Sequence, residues 1–547
     1  MNDIDLLIKN AAVLTLDEEN THAGSVAVSN GRIVKIWPEK EPAIEEIPEK
    51  TEVIDLDGAT LIPGFIDTHN HLLMYARFRK QANCSSPLNR NIPDVLEQLK
   101  AQIDKTPDNE WVLGWGYDNT LLEENRHPTR KELDSVSTDI PILIRHTSVH
   151  FGVANSKALE LAGIDEETAD PYGGRLGRDE DGRLDGILYE LPALSLIQSA
   201  IPAPSVDEVA DFIGEAAEDY LAEGITTNSD AGVGLDMGMS EFEAHIKAVE
   251  SGKNPLRMRL MVLHHLLEKQ ADFGDFTAED LDQLIRKRTQ GRARLDSAKL
   301  FQDGSIQGFT GALREPYHTD PATTGELLHP QDEFNNEVLD LHERGFRLAT
   351  HGNGDRAIES IIDAYEYALT HKPKHDHRQR IEHVQTASEE DLSRMKDLNI
   401  AASFFINHVY YWADRHKKYF LGPERTERLN PLAEATQKEL LYTLHSDCPI
   451  TPISPLFSIW IAVNRQSMEG ETMGKEQCIS PLKALRTMTI DGAKLNFEED
   501  DIGSIEVGKL ADFAVLDADP TSVDPMEIRN INVLATFIGG RKVYEKL

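Results

Sequence analysis

Eight times along this chain a short apolar run rich in β-branched residues ends in a polar or glycine-bearing loop and gives way to a helix-like stretch. The runs are LIPGFIDTHNH at 61–71, GITTNSD at 224–230, LRMRLMVLHH at 256–265, SAKLFQDGS at 297–305, FRLATHGNGD at 346–355, QRIEHVQT at 379–386, NIAASFF at 399–405 and LLYTLHSDCP at 440–449. Strand and helix alternating in this way make βα units with a parallel sheet, and eight such units close into a (β/α)8 barrel. An α/β TIM barrel is the expected fold. The interval between the first and second runs is too long for one connection, so an inserted α/β subdomain is expected at 80–215, with its own strand candidate in IPILIRHTSVHFGVA at 140–154. Residues 1–60 read as short strands around an Asn30-Gly31 hairpin signal, and 485–547 has the same texture around Gly539-Gly540 after a helix. The two ends are expected to share a sheet layer, leaving 61–79 for the first barrel strand and loop, and 216–484 for the rest of the barrel.

Composition narrows the partners. Hydrophobic residues are 40% and charged residues 27%, an ordinary globular mix. Asp and Glu number 94 against 56 Lys and Arg, a net charge of −38 that repels phosphate backbones and anionic lipid, so neither nucleic acid nor membrane is an expected partner. Cys84, Cys448 and Cys478 are too few and too scattered for a disulfide framework. The first twenty residues carry acidic side chains where a secretory signal would be basic, and no run of about 18 apolar residues occurs. The expectation is a cytoplasmic protein.

Metal-competent side chains stand at the ends of five of the eight runs: His69 and His71, Lys299, His351, His383 and Asp447. Strand C-termini of a barrel converge on one face, so residues distant in sequence meet there. His69 and His71, two apart, share a face of a regular strand. Singly, each residue has an ordinary explanation: a hydrogen-bonded core histidine, a helix cap for Asp447, an ion pair with Asp303 for Lys299. Together, in barrel order, they point to a metal site. Nitrogen and oxygen donors suit zinc and also admit manganese, iron, nickel or cobalt. Cys448 reads as a packing residue, and Asp355 as a helix cap or an acceptor that orients a ligand.

The stretches LIPGFIDTHNHL (61–72), AKLFQDGSIQGFTGALREPY (298–317), HGNGD (351–355), RIEHVQ (380–385), HSDCP (445–449) and GSIEVGKLADFAVLD (503–517) together resemble the amidohydrolase superfamily. The similarity is to the branch that contains N-substituted formamide deformylase, and it covers nearly the whole chain. It implies a metal-dependent barrel beside a β-sandwich built from both chain ends, and two divalent ions, zinc by prevalence. His69, His71 and Asp447 would hold the more buried ion, and His351 and His383 the second. Lys299, carbamylated by carbon dioxide, would bridge them, since a protonated amine has no lone pair to offer. A metal-activated hydroxide would then attack a non-peptide carbon–nitrogen bond of an amide, N-acyl or N-formyl small molecule, with Asp447 as general base and then general acid. HGNGD departs at Gly352 from the family's commoner His-Ala-x-Gly-Asp but keeps His351.

Substrate contacts are read at Trp115 and Tyr117, in WVLGWGYDN at 111–119, which resembles a family stretch. His150, with His146 beside it, is a candidate for oxyanion or substrate binding, and Arg314 for holding a substrate carboxylate. Core packing, and a structural role for Arg314, compete with these readings. Two other functions stay open: a lactone or carbamate-ester hydrolase, and a catalytically silent scaffold of the same fold. A homodimer is the default assembly.

Overall fold

All eight barrel runs form strands, each parallel to its sheet neighbours. They are β1 (Phe65–Asn70), β2 (Ile225–Val233), β3 (Arg257–Leu263), β4 (Ala293–Phe301), β5 (Leu348–Gly352), β6 (Arg380–His383), β7 (Ala401–Phe404) and β8 (Tyr442–Leu444). Their order in the sheet is their order in the chain. At the seam, the hydroxyls of Thr68 and Thr443 lie 2.8 Å apart, and beyond the strand ends His71 N donates to Cys448 O at 2.7 Å. The structure, a computed structural model, describes residues 4–40, 42, 47–86, 88–107, 110–147 and 151–546.

The strands are buried along their length because both faces of a parallel sheet are covered. Every residue of β2 is buried, polar ones included. The helix Asp355–His371 shows how the outer layer packs. Ala357, Ile358, Ile361, Ile362, Ala364, Tyr365 and Ala368 are its buried apolar positions, one stripe at helical spacing. Tyr365 also reaches the sheet, pairing with the Thr350 hydroxyl at 2.8 Å and donating to Arg380 O at 3.0 Å.

The chain ends meet in one six-stranded sheet. Thr60–Pro63 pairs antiparallel with Phe513–Leu516, which pairs in turn with Val533–Ile538. A second sheet holds Arg32–Trp37, Ser25–Ser29, Leu6–Lys9 and Glu52–Asp55 in that order. The two sheets contribute to one apolar cluster that includes Ile8, Val26, Leu61, Phe513 and Phe537. Asn30 (φ 50°) and Gly31 (φ 75°) both take positive φ at their hairpin, as a type I′ turn requires. Arg257 of β3 holds Asp512 through two bonds of 2.5 and 2.9 Å, and Arg259 holds Glu498 through 2.5 and 2.6 Å, which ties the barrel to the C-terminal segment.

Residues Leu73–Phe212 form a separate compact unit; Met1–Leu72 and Ile213–Leu547 make up the other. The inserted unit has its own six-stranded sheet, running in order Arg175–Arg178, Leu184–Tyr189, Phe151–Ala154, Ile142–His146, Val112–Tyr117 and Ala82–Asn83. Its strands alternate between two clusters: Val112, Ile142, Ile144 and Val153 face one, and Leu113, Leu143, Ala154 and Leu188 the other. Helix Ile92–Ile103 packs on the first through Val95 and Leu99. No helix among the described residues is long and apolar enough to cross a membrane.

Candidate metal centre

β1 ends at Asn70, and the two histidines around its end reach one carboxylate: His69 Nε2 and His71 Nε2 each lie 3.3 Å from Asp447 Oδ1. Asp447 follows β8 with φ at 53°, a left-handed conformation that aspartate tolerates better than most side chains. Burial alone would raise its pKa, but its contacts with His69 and His71 hold the carboxyl well below its ordinary range. His383 is the last residue of β6. Strict alternation would set it on the face of Ile381, opposite Arg380 and Glu382. Its φ of 71° breaks the alternation, and its ring centroid comes to 4.9 Å from that of His69 and 4.5 Å from that of His351. A positive φ at a non-glycine residue costs on the order of 1 kcal/mol, the kind of strain that clusters at functional sites.

Hydrogen-bond partners bear on which ring nitrogens stay open. His351 Nε2 lies 3.1 Å from Gly304 O and 3.0 Å from Asn353 Nδ2; as a donor to the carbonyl it leaves the Nδ1 lone pair uncommitted. His383 Nδ1 is 3.1 Å from His445 Nε2, and His445 Nδ1 is 2.8 Å from the Ser403 hydroxyl. With Nδ1–H donors along that chain, His383 Nε2 keeps its lone pair. Burial lowers the His351 pKa to about 3, and holds His383 and His445 well below the ordinary histidine value. Unprotonated imidazoles are the form that binds cations. Two sets of donor atoms lie within 4.8 Å of one another, His69–His71–Asp447 and His69–His383–His445.

Lys299, on β4, is 1% exposed, and its Nζ has no hydrogen-bond partner among the described residues. Burial brings its pKa down to about 8, against the opposing fields of Glu382 and Asp447. Asp303, the partner weighed for it from the sequence, instead accepts backbone N–H bonds from Ala312 (2.9 Å), Asn353 (3.0 Å) and Gly354 (2.8 Å). Desolvation raises the Asp303 carboxyl to about 7 despite those bonds. The bonds pin the loop after β5 to the loop after β4. Gly354 is required at this contact, since a Cβ there would stand 1.9 Å from Ala312 O. Asp355 opens the following helix and accepts from Arg314 N at 2.8 Å.

A buried neutral-tending amine, open imidazole nitrogens and a carboxylate on facing strand ends are the donor set that a divalent cation needs. Sequence reasoning passed over three residues here. His445 orients His383; Glu382, fully buried, lies 2.5 Å from His69 Nδ1; His408 is 2% exposed with its ring centroid 6.4 Å from that of His383. Glu382 and His445 sit within two residues of a predicted ligand and His408 lies in the short helix Asn407–Tyr411 after β7, but only contacts across the barrel distinguish them from core polar residues.

The substrate-contact candidates do not gather in the same way. Tyr117 is fully buried in a cluster of the inserted unit, with its hydroxyl 2.9 Å from His127 Nδ1, and Trp115 stacks on Phe78 at 4.8 Å between centroids. His146 lies 3.8 Å from Asp118. His150 lies outside the described residues. Arg314, weighed as a clamp for a substrate carboxylate or as a structural arginine, bonds Asp391 at 2.7 and 3.0 Å and Glu359 at 3.0 Å through its guanidinium, the contacts of the structural alternative.

Comparison with known proteins agrees with this geometry. The model of the amidohydrolase family matches residues 52–544, and the chain belongs to that family of metal-dependent hydrolases. It is 32% identical to N-substituted formamide deformylase of Arthrobacter pascens, over 99% of this chain and 98% of that protein. It is 30% identical to the putative amidohydrolase YtcJ of Bacillus subtilis (strain 168), over 98% of each. An uncharacterized metal-dependent hydrolase from Pyrococcus horikoshii shares the fold with a TM-score of 0.76 at 24% identity, over 95% of this chain and 99% of that one.

Proposed function

We propose that the protein hydrolyses a non-peptide carbon–nitrogen bond of a small amide, N-acyl or N-formyl compound at a centre of two divalent ions, zinc by donor type. The observation that carries the reading is the pair of donor clusters His69–His71–Asp447 and His69–His383–His445 in the same barrel as Lys299, a buried amine with no hydrogen-bond partner among the described residues. His69, His71 and Asp447 would hold one ion, His351 and His383 the other, and the Lys299 carbamate would join them. An amine with a pKa near 8 is partly unprotonated at neutral pH, which is what reaction with carbon dioxide requires. Bound divalent ions supply Lewis acidity, acidifying water and polarising a carbonyl.

The remaining chemistry falls to the chain. Asp447 is held ionised by its histidine neighbours, so its carboxylate takes the proton of the attacking water and returns it to the departing nitrogen. Without that proton the amine is a poor leaving group, and the tetrahedral adduct collapses back to the amide. His445 and the Gly304 carbonyl hold the His383 and His351 rings in the orientation that keeps a lone pair toward the centre. The relationship to a formamide deformylase supports formamides and simple amides as the first compounds to try.

Elemental analysis of protein purified without chelator, with mass measurement of the Lys299 peptide under native handling, tests the centre. Two divalent ions per chain and a carbamate are expected, with turnover on an amide and formamide panel. One ion without the modification overturns the bridged centre; no ion after reconstitution with zinc and bicarbonate overturns the hydrolase reading in favour of a silent scaffold. Turnover of lactones or carbamate esters in preference to every amide overturns the bond assignment.

A further inference from the structure

Glu382 is fully buried, and both of its carboxylate oxygens are engaged. Oε2 lies 2.5 Å from His69 Nδ1, and Oε1 accepts from Arg380 Nε at 2.5 Å. Arg380, equally buried, also donates to Thr68 O at 3.0 Å and stands 3.6 Å from Asp296 Oδ1. Asp296 is bonded in turn by Arg347. Arg347, Asp296, Arg380 and Glu382 thus alternate in charge through the barrel and end on a histidine that the sequence marks as a ligand.

We infer that Glu382 is a positioning residue that fixes His69 in the tautomer protonated at Nδ1, so that the Nε2 lone pair faces His71 and Asp447. The inference rests on the metal-site reading given above. A neutral imidazole has one N–H and one lone pair, and a carboxylate paired with a guanidinium only accepts. The nitrogen facing Glu382 must therefore be the donor. Arg380 balances the buried charge of Glu382 and occupies its other oxygen, Oε1. With Oε1 given to Arg380 and Oε2 to His69, Glu382 is not itself a ligand. Its neighbour His383 departs from strand alternation through its positive φ, and its own ring comes to 4.9 Å from that of His69. Two successive residues of β6 therefore serve the centre differently, one orienting a ligand of the first strand and one offering its own ring.

The experiment is competition for zinc between the chain and a chromophoric chelator, run beside thermal melting of the metal-free proteins. Glu382→Gln is expected to weaken zinc binding roughly 10- to 100-fold, the usual cost of removing an acceptor behind a ligand histidine. Glu382→Asp restores the charge and is expected to recover part of that loss. Arg380→Gln breaks the same buried ion pair from its other side and leaves the Glu382–His69 contact in place; it is expected to melt lower yet keep most of its zinc affinity. Should Glu382→Gln fail to fold, Glu382→Asp against Arg380→Gln carries the comparison, with the weaker zinc binding expected in the former. Zinc held equally by wild type and the Glu382 variants overturns this inference alone, as does a loss of zinc affinity that merely tracks melting temperature across the three variants. A wild-type chain that binds no zinc overturns the metal-site reading and this inference with it.

Discussion

Replacing Lys299 with methionine removes an amine that is 1% exposed and lacks a hydrogen-bond partner among the described residues, while keeping a side chain of similar length. Burial lowers its pKa from 10.5 to about 8. At ~1.4 kcal/mol per pH unit, a fall of that size means that holding the charged amine in the folded, metal-free protein costs about 3 kcal/mol. The folded pKa lies below the unfolded one. Below about pH 8 both states carry the proton and the full cost is present; between about 8 and 10.5 only the unfolded chain keeps it, so wild-type stability rises with pH. Lys299→Met escapes the cost at every pH. In chelator-stripped protein and carbonate-free buffer, urea unfolding should show the variant more stable by about 3 kcal/mol at pH 7, with the gain shrinking steadily toward pH 10. Zinc and bicarbonate should reverse the ranking, because only the wild type gains the binding energy of a bridged centre. A variant no more stable than wild type at pH 7, or a gain that does not fade on the alkaline side, would refute the argument from burial.

Asp447→Asn should leave circular dichroism and most bound metal unchanged while turnover drops by at least ~10²-fold, the usual contribution of a positioned acid–base group; unaltered turnover would remove it from proton transfer. Arg314→Ala should lower stability by about 1–2 kcal/mol through loss of its paired bonds to Asp391, with KM for carboxylate-bearing and neutral substrates moving alike. A selective rise in KM for the carboxylates would instead establish it as a clamp. Gly354→Ala, which drives a Cβ into the Ala312 carbonyl, should cost about 1–3 kcal/mol in thermal unfolding and reduce metal content by displacing the loop after His351; an unchanged melting profile would show that the two loops move apart freely.

The barrel was legible because its information is local. Each run carries β-branched residues, a polar end and a following helical stripe, and strand order follows chain order, so no long-range choice had to be guessed. The hairpins at Asn30-Gly31 and Gly539-Gly540 were legible for the same reason: positive φ at both central positions demands those residue types. The ligand candidates could be listed in order, but not their orientation. The sequence shows Glu382 beside His383, yet its partner is His69, 313 residues away. It shows His445 two residues before Asp447, with no sign that it hydrogen-bonds His383 rather than solvent. For Trp115 and Tyr117 the sequence left substrate contact and core packing open, and contacts with Phe78 and within a buried cluster appear only in the folded unit.

Residue type and spacing therefore determined that this chain forms eight parallel strands and which side chains stand at their ends. Tertiary structure decided the rest: which histidine nitrogens are engaged, that Lys299 Nζ has no hydrogen-bond partner among the described residues, and that Arg314 bonds Asp391 and Glu359. The division follows from the physics. Periodicity and turn chemistry act over a few residues, whereas tautomer, burial and charge pairing are set by groups that meet only when the barrel closes.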